Sequence, residues 1–109
     1  MSAMRNPREY TYRVFWSEED GAFVSSALEF PSLSNIADNQ EEALRGMVEL
    51  IREVLSIISE EGREPPEPLG TRRFSGHLSL RISPEEHRRV AMEAAEAGVS
   101  INQLIAARI

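Results

Sequence analysis

The chain contains no cysteine and no lysine. Without cysteine there are no disulfides and no thiolate metal ligands. All twelve basic residues are arginine. Arginine forks suit phosphate and carboxylate recognition, although a coding bias toward arginine explains the uniformity more simply. Long apolar runs are also missing. None approaches the roughly 18 residues of a membrane span, and MSAMRNPREY lacks the apolar stretch of a secretory leader. The expected setting is the cytoplasm, with no membrane partner. A length of 109 residues predicts one ordinary domain or two very small ones.

Acidic charge dominates, with a net charge of -6, but it is not evenly spread. Residues 1–69 hold six arginines against fourteen acidic residues, a net of -8, whereas residues 70–109 hold six arginines against four glutamates, a net of +2. This asymmetry points to two modules that meet different partners. The break falls in EGREPPEPLGTRR, whose prolines and glycine read as a connection. The expected organisation is an N-terminal domain over residues 1–64, a proline-rich linker over 65–73 and a second domain over 74–109.

The first module opens with YTYRVFW, residues 10–16, whose aromatic and β-branched side chains suit a pleated, half-buried surface. Asp20-Gly21 supplies a hairpin turn, so AFVSSAL, residues 22–28, returns antiparallel. Pro31 is expected to end that strand, leaving LSNIA, residues 33–37, as a third strand or a connection. A helix follows, with Leu44, Met47, Val48, Ile51, Val54, Leu55 and Ile58 at spacings of three and four forming one apolar stripe. Asp38 with Glu41, or Asn39 with Glu42, suits its start and Gly62 its end. Glu41, Arg45 and Glu49 lie four apart on the outer face, where they can pair.

These elements suggest no catalyst. Metal-assisted hydrolysis needs carboxylates converging on cations, yet the first strand has none, Asp20 belongs to a turn and Asp38 to a helix start. Neither histidine lies near a serine in a strand-turn-helix elbow. No cofactor is expected.

The second module is more explicit. In HLSLRI, residues 77–82, Leu78, Leu80 and Ile82 point to one face while His77, Ser79 and Arg81 point to the other. Ser83-Pro84-Glu85-Glu86 combines an N-cap, a proline at the first helical position and a capping box. Val90, Ala91, Ala94 and Ala95 form a thin apolar stripe, and Gly98 stops that helix. Ser100 and Gln103 open another, INQLIAARI, with Val99 and Leu104 as a staple. A strand-helix-helix of about forty residues buries too little to stand alone, and its strand is unpaired along both edges. Pairing with a second copy about a twofold axis solves both problems. A two-stranded ribbon results, and a ribbon fits the DNA major groove.

HLSLRISPEE, the Gly98 break and the SINQL helix start resemble the ribbon-helix-helix fold of Arc and MetJ type repressors across residues 74–109. That resemblance implies base reading by His77, Ser79 and Arg81, phosphate binding at Ser100, Ile101 and Asn102, and a dimer core of Leu78, Leu80, Ile82, Leu104 and Ile105. His77 and Ser79 stand where longer amides are common in that family, so the base preference does not carry over. The whole chain, with FVSSALEFPSLSNIADNQEEAL, a long helix and GREPPEP before the tail, resembles the HicB antitoxins. This implies an α+β protein: an antiparallel sheet packed by one long helix in a partial RNase H-like fold without nuclease activity, followed by a ribbon-helix-helix. The implied partners are a HicA-type mRNA-cleaving toxin, masked by the first domain, and double-stranded operator DNA, bound by a homodimer whose assembly into tetramers is left open. Glu18, Glu19 and Asp20, on the hairpin tip, are the candidates for meeting a basic toxin. Three other readings stand beside this one: a ribbon-helix-helix regulator with an oligomerising or ligand-sensing N-terminal domain and no toxin, a catalytic ribonuclease H relative, and a strand 77–82 that merely completes the N-terminal sheet.

Overall fold

A computed structural model describes residues 5–109. By its internal contacts the chain divides after Arg73 into two compact units, the second being Phe74–Ile109.

The first unit is a three-stranded antiparallel sheet backed by one helix. Its strands are β1 (Tyr12–Ser17), β2 (Ala22–Ala27) and β3 (Phe30–Ala37), in the order β1-β2-β3. The β1–β2 hairpin pairs Tyr12 with Ala27 and closes at Ser17 opposite Ala22. Gly21, at φ 59°, takes the left-handed conformation that the turn requires, and its N–H reaches the Glu18 carbonyl at 3.3 Å. The third strand forms, and it corrects one expectation, since Pro31 lies inside β3. An edge strand tolerates proline because one side of its backbone has no ladder to supply. The β2–β3 register also shifts between Ser26 and Ala27, next to the Ala27–Phe30 pair.

Helix α1 (Gln40–Glu60) is capped by Asn39, whose side chain accepts the Glu42 N–H at 2.9 Å. Of the two proposed starts the second is therefore the one used. Gly62, at φ 71°, closes the other end, and the Arg63 N–H bonds the Ile58 carbonyl at 3.1 Å. The buried line runs through Ala43, Met47, Ile51, Leu55 and Ile58. It is rotated from the expected stripe, because Ala43 faces the sheet and Leu44 is left exposed. Met47 and Ile51 are completely buried, each contributing about 1.5–3 kcal/mol of apolar transfer. On the outer face Glu49 pairs with Arg52 at 3.5 Å, rather than with the expected Arg45.

The core is locked by polar contacts across layers. The buried Ser25 hydroxyl donates to the Ala43 carbonyl at 2.7 Å, and Asn35 Nδ2 reaches the same oxygen at 3.3 Å. Helix and sheet approach closely here because residue 46 is glycine: a Cβ at that position would run into the Asn35 amide. Tyr10 packs edge-on against Phe30 with ring centroids 5.0 Å apart.

The segment after α1 is tied to this unit. Tyr10 Oη donates to the Pro66 carbonyl at 2.7 Å, Pro68 is fully buried, and the Leu69 N–H donates to Glu29 Oε2 at 2.9 Å.

The second unit holds α2 (Pro84–Ala97) and α3 (Ile101–Arg108). Both expected capping boxes are present, Ser83 with Glu86 and Ser100 with Gln103. Gly98, at φ 70°, ends α2, and the Val99 N–H bonds the Ala94 carbonyl at 3.0 Å. Ala94 is buried while Ala95 is exposed, which narrows the expected stripe. An ion pair between Arg108 and Glu93 joins the two helices. Residues 77–82 carry no strand in the single chain, and the N-terminal sheet is complete without them. The reading of HLSLRI as a strand of that sheet is therefore overturned.

Candidate functional site

The segment before α2, residues 77–82, is exposed along both of its alternating sets of side chains. Leu78 is 83% exposed and Leu80 69%, with Ile82 at 39%. His77, Ser79 and Arg81, between them in sequence, are exposed as well. One bond on this stretch is local, the His77 N–H to Ser75 Oγ at 3.0 Å. Phe74, also exposed, extends the apolar character upstream. A fully buried leucine contributes about 1.5–3 kcal/mol, so two of them in water forfeit a substantial part of what a unit this small can gather.

Downstream, Ser83 fixes where extended backbone turns into helix. Its Oγ accepts the Glu86 N–H at 3.1 Å while Glu86 Oε1 accepts the Ser83 N–H at 3.1 Å. These bonds from Ser83 hold the Glu86 carboxyl below the usual range. Ser100 repeats the arrangement with Gln103, at 3.0 and 2.8 Å. At the start of α3, Ile101 is partly exposed and Asn102 exposed. Helix starts of this kind present N–H groups and the positive end of the helix dipole. Leu104 and Ile105 are half-buried on α3.

In the first unit, Glu18, Glu19 and Asp20 form the exposed β1–β2 tip. Trp16 Nε1 donates to Glu18 Oε1 at 2.7 Å, and the Ser17 hydroxyl donates to Asp20 Oδ2 at 2.9 Å, so two of the three carboxylates also order the turn. Trp16 stacks edge-on against Phe23, its cross-strand partner, with centroids 5.2 Å apart.

Sequence reasoning missed the anchoring role of Glu29. Its carboxylate accepts the Thr11 N–H at 3.0 Å, the Thr11 hydroxyl at 3.0 Å and the Leu69 N–H at 2.9 Å. Burial pushes this carboxyl up, but the N–H groups of Leu69 and Thr11 outweigh it and hold the group below the ordinary carboxylate range. These partners lie 18 and 40 residues away, so no local pattern signals them. Burial, reinforced by the nearby Glu29 charge, pushes the Tyr12 phenol up to about 12 and overcomes the opposing charge of Arg52.

Among the described residues, no group of three His, Asp or Glu side chains is gathered as a metal site requires, and no helix is long and apolar enough to cross a membrane. The molecule is thus an α+β chain of two units, one a helix-backed sheet and the other a pair of capped helices preceded by a segment with no regular secondary structure. The HicB family model matches residues 55–109, just over half of the chain, and the chain belongs to the HicB family. No curated protein and no solved structure gives a significant match.

Proposed function

We propose that this protein is a non-catalytic antitoxin of a type II toxin-antitoxin system. In this reading its N-terminal unit masks a HicA-type mRNA-cleaving toxin, and its C-terminal unit represses the shared operon. The family membership supports the antitoxin role. The DNA-binding half rests on a single observation: HLSLRI is solvent-exposed on its apolar and polar sides alike, without a partner strand among the described residues, directly ahead of two capped helices. An antiparallel pair of such segments places Leu78, Leu80 and Ile82 over a core shared with Leu104 and Ile105 of both copies. It then presents His77, Ser79 and Arg81 to the major groove. Ser100, Ile101 and Asn102 grip phosphate at the start of α3. The β1-β2-β3-α1 order supports reading the first unit as a truncated RNase H-like domain used as a protein-binding surface. Residues 1–64 and 74–109 serve as the two functional domains, and the chain works in the cytoplasm.

Footprinting of the DNA upstream of the gene, with and without the HicA-type protein encoded beside it, tests both halves together with sedimentation of the full chain. The expected outcome is a dimer or larger assembly, a protected site, and a stable complex with the toxin. A dilute monomer that remains fully folded and protects no DNA would refute the ribbon, and a toxin left unbound would refute the antitoxin.

A further inference from the structure

Helix α1 covers one face of the sheet, and within the described residues of this unit the other face carries an apolar row that no element covers. The register aligns Phe15 with Val24 and Val24 with Ile36, and directly opposed residues share a face. That face is opposite the helix, because the neighbouring Ser25 bonds the Ala43 carbonyl of α1 and successive side chains alternate. Phe15 is 46% exposed and Ile36 55%. A solvated face of an antiparallel sheet is normally polar, and the next row, Arg13 with Ser26 and Ser26 with Ser34, obeys that rule. The apolar row does not, and such exceptions mark interaction surfaces.

The charge around the row selects its occupant. Two residues beyond Phe15 and two before Val24, the Ser17–Ala22 pair closes the hairpin, so the Glu18-Glu19-Asp20 tip stands beside the row, a short step along the strands from its Phe15–Val24 part. Asp38 follows β3 at the same end of the sheet, where Ala37 pairs with Phe23. The sequence around it, residues 1–69, has a net charge of -8. A second copy would bring like charge to like charge, whereas a basic protein surface would be steered onto the face and held there. We infer that the Phe15–Val24–Ile36 row, together with the acidic tip, is the docking surface for the RNA-binding face of the toxin. This rests on the antitoxin reading above, since a protein that cleaves RNA must present basic residues to phosphate.

Calorimetric titration of the full chain with the HicA-type protein encoded by the adjoining reading frame provides the test. The variants are the double substitution Phe15→Ser with Ile36→Ser, and separately Glu19→Arg. Both expose no new core, and melting curves verify that each remains folded. The double variant is expected to weaken the complex by about tenfold or more, as for apolar residues at the centre of an interface. Glu19→Arg, which keeps the test alive if the double variant does not fold, is expected to weaken it at low salt and to flatten its salt dependence. Wild-type affinity in both variants overturns the surface while leaving the antitoxin reading intact. A wild-type chain that does not bind the toxin overturns that reading and the surface with it. A double variant that sediments as a smaller assembly with unchanged toxin affinity assigns the row to contact between copies and likewise overturns the inference.

Discussion

Glu29 and Leu69, forty residues apart, are joined by a 2.9 Å hydrogen bond from the Leu69 N–H to Glu29 Oε2. The same carboxylate holds Thr11 at the threshold of β1. One side chain therefore fastens the proline-rich segment to the first strand, with the Tyr10–Pro66 bond beside it.

Replacing Glu29 with Ala should release that fastening. Hydrogen bonds to a charged acceptor contribute about 1.5–3 kcal/mol each when well shielded, and partial exposure of this group reduces the net loss toward about 1 kcal/mol. Amide exchange should quicken at Leu69 and Thr11 while α1 stays protected. Unchanged exchange at Leu69 would show that Pro68 burial alone holds the segment.

Acid should mimic the substitution. The folded pKa of Glu29 is depressed, so its contribution is complete above the unfolded carboxylate range and is lost as pH falls through the folded value. Protection at Leu69 should thus persist at pH values where exposed glutamates are already protonated, and disappear below them. Glu29→Gln should remove this pH dependence.

Alkali probes the same corner from the other side. The chain has two tyrosines, and both are shifted upward: Tyr12 to about 12, and Tyr10, chiefly by burial, above its ordinary 10.0. Folded protein should show little phenolate absorbance until the pH passes the ordinary tyrosine range, while unfolded protein titrates normally. Because the folded pKa is raised, this contribution to stability is present below the unfolded value and fades as the pH climbs toward the folded one.

Gly46→Ala should destabilise the first unit by about 1–3 kcal/mol, the usual effect of forcing extra volume into a packed site. The new methyl group meets Asn35, which is bonded to Ala43. A chemical denaturation midpoint checks this. Asn35→Ala combined with Gly46→Ala should recover part of the loss if that contact is the cause.

For the proposed DNA contacts, Arg81→Ala should reduce discrimination between operator and random duplex by about 1–3 kcal/mol, the worth of a bidentate base contact. Ser100→Ala should weaken both duplexes alike, because phosphate contacts position the protein without reading sequence. Competition binding at fixed salt separates the two patterns, and equal losses for Arg81→Ala would remove it from the reading set.

The parts of this fold that sequence revealed were those governed by near neighbours. Ser83 with Glu86, Ser100 with Gln103, and Gly98 are short-range grammar, and the structure uses all of them. The rotation of α1 was hidden because it depends on Ala43 meeting Ser25 across the layers, which no helical period encodes. Pro31 misled because proline forbids an inner strand but not an edge, and sequence alone does not say which strand is outermost. The Phe15–Val24–Ile36 row emerges only when the hairpin registers are known, since a slip of one residue would turn each strand's side chains over.

Leu78 and Leu80 lie in water on the solitary chain, and under the pairing proposed above this would make abundance itself a signal that the molecule registers. A reader completed only by pairing accumulates more steeply than the supply of its halves. Modest degradation of the chain would therefore empty an operator sooner than the fall in protein alone suggests.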